Sequence, residues 1–375
     1  MRDRVFAILI EKNDQAGRKM LKIKPIFDAS KAKLTIEKGR RAKWLRRRGS
    51  KAAGFFYTDT NGLKVTDEAT VERIRALVIP PAWRHVRISP AASTSIQAVG
   101  MDTTGRIQYL YHTKFSEKQQ SKKFAKIERF GEYLPRLRAV TNEHISLEGF
   151  PREKVLAVMM RLVNSLYIRV GTEKSAKHYR TYGITTLQNK HLEIKRGGQL
   201  VFDFVGKSHI KHRKILVDEE LASLMKDLKQ LGGARKLFHY LADDGKPRSV
   251  RPGDLNSYIK QATAPEFSAK DFRTWGATLL AATALADLGK AETEREIKRN
   301  IVKAVKCVSE QLGNTPTVCR GSYIHPMVLK LYESGVTIDE FRPRKTRRRI
   351  QRVETDYEPE EKALIKLLTN GKQKS

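Results

Sequence analysis

Gly313-Asn314-Thr315-Pro316-Thr317-Val318-Cys319-Arg320-Gly321-Ser322-Tyr323 sets a hydrogen-bonding side chain nine residues before a tyrosine, close after a long amphipathic run from Glu292 to Leu312. Working outward from it, three separated basic residues stand in positions that a phosphate-directed tyrosine would need. Ser268-Ala-Lys-Asp271 resembles a capping box ahead of Phe272 to Leu280, so Arg273 falls in the first turn of a helix whose N-terminus favours anions. Pro151 opens a stretch, Val155 to Leu166, with apolar residues at helical spacing, and this core helix runs into Tyr167-Ile-Arg-Val-Gly171. Arg169 thus sits among apolar neighbours, where a guanidinium must be paired or must await an anion. Tyr323 is read as a nucleophile.

Residues 183 to 217 read as a three-stranded meander, with extended segments at 184–187, 191–194, 200–205 and 214–217 separated by turns. Lys207 occupies a hairpin tip. Gly206-Lys207-Ser208 is no phosphate loop, because position 201 is Val where an earlier glycine is required and the lysine opens no helix. From Asp218 onward the chain reads as all helical, with a loop at Gly245-Lys-Pro-Arg248 and a final helix from Pro359 to Leu368.

Charge is the strongest compositional signal in the 375 residues: 74 Lys and Arg against 41 acids, a formal net of +33. Such a field attracts polyanions and speeds encounter with them, so it names a partner class and leaves the activity open. Two cysteines, Cys307 and Cys319, form no metal or disulfide framework, which points to reduced thiols, with Cys319 as a small packing residue. No apolar run approaches a membrane span, and a cytoplasmic, nucleoid-associated protein is expected.

Residues 1 to 51 carry seventeen Lys/Arg against five acids and are expected to form a mobile basic arm, with a short strand possible at Leu21 to Phe27. From Gly54 the composition becomes that of a small antiparallel sheet, including Val78-Ile-Pro-Pro-Ala-Trp-Arg-His-Val-Arg-Ile88, a turn at Asp102 to Gly105, and Arg106-Ile-Gln-Tyr-Leu-Tyr-His112. Tyr109 and Tyr111 share a face beside Arg106 and Lys114, a pattern that suits bases and phosphates and is also common without a ligand. The expected organisation is α+β: a basic arm (1–52), a β-rich lobe (53–116), a larger mostly helical lobe containing the meander (117–340), and a basic tail (341–375), in which Arg342 to Arg352 holds seven Lys/Arg and no acid.

Breaking a DNA strand without hydrolysis requires a nucleophile that stays attached. A phenol forms a phosphodiester similar in energy to the one it breaks, so the step is reversible and needs no ATP. Its ordinary pKa of about 10 is a difficulty that neighbouring cations ease by favouring the phenolate. Arginines meet the charge that builds on the phosphoryl oxygens, each such donor contributing on the order of 3 kcal/mol. A lysine on a mobile tip can protonate the departing sugar oxygen. Arg169, Lys207, Arg273, Asn314 and Tyr323 fit these roles, weak singly and informative as a set. No metal constellation competes, since the His209/His212 pair lacks carboxylate or cysteine partners, and no cofactor is expected.

The chain resembles the type IB DNA topoisomerases, specifically the small poxvirus-like branch that also occurs in bacteria, from about Gly54 to Lys330. The motifs are Ile79-Pro-Pro-Ala-Trp83, Gly105-Arg-Ile-Gln-Tyr-Leu-Tyr111, Ile168-Arg-Val-Gly171, Tyr182-Gly-Ile-Thr-Thr-Leu187, Phe204-Val-Gly-Lys207, Lys270-Asp-Phe-Arg-Thr-Trp-Gly276, and Gly313-Asn-Thr-Pro through Tyr323. The resemblance implies that Arg169 and Arg273 hold the scissile phosphate, that Lys207 is the general acid, and that Tyr323 forms a 3′-phosphotyrosyl intermediate. It also implies DNA contact by Gln108, Tyr109 and Tyr111, to which we add Arg106 and Lys270, and a two-lobed, monomeric clamp around duplex DNA.

Two departures stand out. Asn314 occupies the place where poxviral and eukaryotic members have histidine, although bacterial-type members are similar in having Asn. The arm before Gly54 and the tail after Arg342 lie outside the resemblance, and nonspecific DNA tethering is a hypothesis for both. A tyrosine recombinase would share the chemistry, but recombinases usually show His-x-x-Arg where this chain has Lys270 three residues before Arg273. A non-catalytic basic binding protein would explain the charge without the five site residues.

Overall fold

The computed structural model describes residues 29–232, 234–242, 244–342 and 357–373, which divide into two compact units between Lys123 and Phe124. The first unit opens with α1 (Ala29–Glu37), a 3-10 turn (Gly39–Lys43), β1 (Leu45–Ser50), β2 (Gly54–Thr58) and α2 (Glu68–Ala76). It continues through β3 (Arg84–Ile88), β4 (Ile96–Met101) and β5 (Ile107–Tyr111), giving an antiparallel sheet in the order β2-β1-β3-β4-β5. Tyr57, Ile74, Val86, Ile88 and Ala98 form its core, while Ala32 and Ile36 of α1 pack on Val99 and Met101.

The expected basic arm is corrected here. Residues 29–50 are structured, and β1, expected to be part of a mobile arm, lies between β2 and β3. Arg47 explains why an arginine run can be a strand. Its guanidinium lies 4.2 Å from the Phe55 ring centre and donates to the carbonyls of Ile79, Pro80, Pro81 and Trp83 at 3.3, 3.1, 3.3 and 2.6 Å. The Ile79 to Trp83 motif makes no helix or strand of its own, so one planar cation satisfies its carbonyls. Arg87 pairs with Glu37 at 2.9 Å, which ties α1 to the sheet. The possible strand at Leu21 to Phe27 lies outside the described residues.

The second unit takes the end of α3 (Thr113–Glu132), then α4 (Leu134–Ile145), α5 (Arg152–Leu166) and α6 (Glu173–Tyr179). After two 3-10 turns at Ile184–Thr186 and Asn189–His191 come β6 (Leu192–Ile194), β7 (Gln199–Val205) and β8 (Lys211–Val217), the expected meander in the order β6-β7-β8. Within the segment at 184–187, Ile184–Thr186 is 3-10, not extended, and Ile184 and Thr185 donate to the carbonyls of Arg169 and Val170 at 2.8 and 2.9 Å. Then follow α7 (Glu219–Gln230), β9 (His239–Leu241), β10 (Pro247–Ser249), α8 (Pro252–Ala262), α9 (Ala269–Leu288), α10 (Glu294–Leu312), α11 (Pro316–Ser322), α12 (Pro326–Glu333) and α13 (Pro359–Gln373). The β9–β10 hairpin corrects the all-helical reading after Asp218. Its strands have three residues each, too few for a visible alternation.

The core gathers on α5, from Val155 to Leu166, with Phe130 edge-on to Phe267 and Phe272 at 5.3 and 4.8 Å. The tail also needs correction: Ala363, Leu364, Leu367 and Leu368 of α13 are buried in this core, and Glu361 pairs with Arg138 at 2.8 Å. Among the described residues no helix is long and apolar enough to cross a membrane.

Candidate active site

Arg169 is placed by a close backbone crossing. Tyr167 ends α5 in the left-handed region (φ 53°), and the chain then runs past Gly183 so tightly that a Cβ there would stand 2.3 Å from the Arg169 carbonyl. Gly171, itself at φ +84°, faces Gly183 across the crossing. This is why the motifs holding Gly171 and Gly183 lie against one another.

Arg273 comes from α9, whose N-terminus is fixed by Ser268: its N–H and hydroxyl donate to Asp271 at 2.8 and 3.1 Å, and Lys126 pairs with the same carboxylate at 2.7 Å. One turn on, Arg273 is only 4 % exposed. Its Nη1 donates to the Tyr167 carbonyl at 2.5 Å, and its Nη2 donates to the Leu312 carbonyl at 2.9 Å and to Asn314 Oδ1 at 3.1 Å. Its Nε is buried with no hydrogen-bond partner. Burial, and then the Arg169 charge, pull the guanidinium down to about 10, so it remains a cation at neutral pH.

The third segment of the site runs from Gly313 to Tyr323. Gly313 closes α10 in the left-handed region (φ 59°), pressed against His212 so that a Cβ would meet its Cε1 at 2.2 Å. Asn314 follows, and its Oδ1 accepts from Nη2 of Arg169 as well as from Arg273. Thr315 caps α11 by accepting from the Val318 N–H at 3.3 Å, and Pro316 takes the first helical position. The eight residues between Asn314 and Tyr323 are therefore one cap plus a seven-residue helix.

Tyr323 is half-buried at the end of α11, with the Arg273 guanidinium carbon 5.4 Å from its ring centre. Thr278 Oγ1 steadies the following turn, accepting the His325 N–H at 3.1 Å while donating to the Thr274 carbonyl at 2.8 Å. The phenol lies below its ordinary value. Burial pushes it up, and the Arg273 charge, hydrogen bonds with Arg273 and Asn314, and the Arg169 charge together pull it further down. The arrangement is one buried cation, one half-buried cation and an amide around an acidified phenol, suited to an anion with charge on several oxygens.

Lys207 stands apart from this cluster, exposed at the tip joining β7 to β8, where Ser208 and His209 take positive φ (63° and 58°). The inner side of the same hairpin contributes two residues that the sequence reading did not assign, His212 and Lys214. Both line the small cavity that holds Arg169 and Arg273. Burial, with Lys214 and the two arginines, lowers His212 to about 3, leaving it neutral, and burial with the arginines lowers Lys214 to about 7. A signal existed: His212, Lys214 and Leu216 are the buried alternate positions of β8, so a lysine stood in an apolar register.

The expected DNA-contacting residues fall in the two units. In the first, Tyr109, Tyr111 and Phe115 form a partly exposed ladder, with ring centres 6.2 and 5.5 Å apart. Arg106 is exposed, whereas Gln108 is held by Asp102 at 2.8 Å. Lys270 is exposed on the first turn of α9 in the second unit. Cys319 is buried, its thiol pushed up to about 11 by burial, which fits a packing role. Among the described residues no group of three or more His, Cys, Asp or Glu is arranged to hold a metal ion.

Residues 112–349 match the family described as eukaryotic DNA topoisomerase I, catalytic core, and residues 54–102 match the bacterial DNA topoisomerase IB N-terminal domain. DNA topoisomerase 1B of Acanthamoeba polyphaga mimivirus is 32% identical over 288 residues, covering 75% of this chain and 84% of that protein. DNA topoisomerase I of Monkeypox virus is 25% identical over 305 residues, covering 77% and 93%.

Proposed function

The chain belongs to the type IB DNA topoisomerase family, and from that premise we propose that it relaxes supercoils of either sign by cutting one strand of duplex DNA, letting it swivel, and resealing it. The Tyr323 phenolate attacks the scissile phosphorus, an O–P bond forms, and the bond to the 5′ oxygen breaks. That oxygen leaves with a proton from Lys207, and a 3′-phosphotyrosyl link holds the other end. After rotation the 5′ hydroxyl returns its proton to Lys207, attacks phosphorus and displaces the phenolate. One phosphodiester is exchanged for another, so neither ATP nor a metal enters the balance.

The observation that carries this reading is the convergence of Arg169, Arg273 and Asn314 on the Tyr323 phenol, with Arg273 both hydrogen-bonded to Asn314 and lying near the tyrosine ring. In the transition state the two guanidiniums meet the phosphoryl oxygens, and the unpartnered Nε of Arg273 supplies a further donor. Asn314 donates to a non-bridging oxygen without adding charge. Arg106, Gln108, Tyr109, Tyr111 and Lys270 contact DNA flanking the site, and the enzyme acts as a nucleoid-associated monomer.

Relaxation of positively and negatively supercoiled plasmid in EDTA without ATP tests it, wild type beside Tyr323→Phe, with denaturant trapping of protein attached to the 3′ end. Both substrates should relax, and the adduct should vanish in the variant. Tight binding without relaxation or adduct at any salt concentration would leave only a basic binding protein.

A further inference from the structure

Three consecutive carbonyls at the end of α10 are each taken by a cationic side chain from a different part of the chain. Lys214 Nζ from β8 donates to Gln311, Arg273 Nη2 from α9 to Leu312 at 2.9 Å, and Arg169 Nη2 from the segment after α5 to Gly313 at 3.4 Å. A helix C-terminus leaves its last carbonyls without intrahelical partners and carries partial negative charge, so it gathers cations that would otherwise repel one another. The second and third of these cations are the arginines assigned to the phosphate. The first has no assigned role, although it is 4 % exposed and lines their cavity.

Resting on the proposed reaction, we propose that Lys214 is a positioning residue: by holding the Gln311 carbonyl it sets the register of the last turn of α10 against β8, and so the places of Arg273, Arg169 and Asn314. Two further contacts fit this role. His212, two residues earlier on the same face of β8, is the side chain against which Gly313 closes, and Gly206 closes on it from the other side. Strand β8 also begins just past the Lys207 tip, so the strand that follows the proposed general acid is tied to the helix end whose carbonyls hold the arginines. No contact of Lys214 with DNA is required.

A double-mutant cycle decides it. Single-turnover cleavage of pre-bound duplex is followed for wild type, Lys214→Met, Arg273→Ala and the double variant, beside duplex affinity in a Tyr323→Phe background and thermal unfolding. Methionine is a suitable substitute because folds tolerate an apolar chain of similar volume in place of a buried cation. Should it not fold, Lys214→Leu takes its place under the same criteria. Lys214→Met should slow cleavage about tenfold or more with affinity within about twofold, and should add less than about threefold to the Arg273→Ala defect. Cleavage by Lys214→Met at the wild-type rate, or defects that multiply in the double variant, would overturn the proposal. Absence of cleavage by wild type would instead sink the reaction on which it rests.

Discussion

Asn314 Oδ1 accepts Nη2 of Arg273 at 3.1 Å, and Nη2 of Arg169 reaches the same oxygen. One neutral amide thus bridges a buried and a half-buried cation, and it can do so because an amide oxygen has two lone pairs and no proton to lose. Exchange for a carboxylate would offset one of the two positive charges that the proposed reaction directs at phosphate.

Asn314→Asp is accordingly expected to be at least as damaging as Asn314→Ala. Each should lower the single-turnover cleavage rate by roughly 10²- to 10³-fold, the usual effect of losing one transition-state donor. Rapid-quench cleavage of a pre-bound oligonucleotide measures both, and an Asp variant faster than the Ala variant would contradict the account of Oδ1 as a spacer.

The pH dependence of cleavage should answer to Arg273. Its charge is the largest influence pulling the Tyr323 phenol down, against burial pushing it up. A cation favours the phenolate, so removing it moves the phenol to higher pKa. In Arg273→Gln the rising limb of the pH–rate profile should shift to higher pH than in wild type, in addition to an overall loss of rate. An unmoved limb would mean that another group titrates there.

Lys207 is assigned as the proton donor to the leaving oxygen, which gives it a chemical signature. A substrate with sulfur at the 5′ bridging position leaves as a thiolate and needs no proton. Lys207→Ala should lose at least about 10²-fold on normal DNA and recover most of that on the sulfur substrate. Arg273→Ala should gain no comparable recovery, since its defect lies in charge on the non-bridging oxygens.

Helix α13 should be indispensable to the second unit. Leu364, Leu367 and Leu368 are each at most 2 % exposed, and burial of a leucine is worth about 1.5–3 kcal/mol. A chain ending at Arg342 should lose about 5 kcal/mol or more in urea unfolding. A truncated chain with unchanged unfolding would show that the helix merely rests on the surface.

The sequence by itself determined the punctuation and named the candidate site residues. Caps such as Ser268 with Asp271, the glycine after Leu312, the proline after Thr315 and the alternation in β7 are local signals, each complete within a few residues. They carried Arg169, Lys207, Arg273, Asn314 and Tyr323 and most element boundaries with them. What only the tertiary structure decided depends on partners far along the chain. Arg47 is a strand residue because carbonyls more than thirty residues away receive it, and α13 is core because α9 and α12 offer it an apolar face. Lys214 is buried with its ammonium on the Gln311 carbonyl at the end of α10, 97 residues on. Periodicity reports which face of an element is buried. It does not report what stands opposite, and for a buried cation the opposite group decides everything.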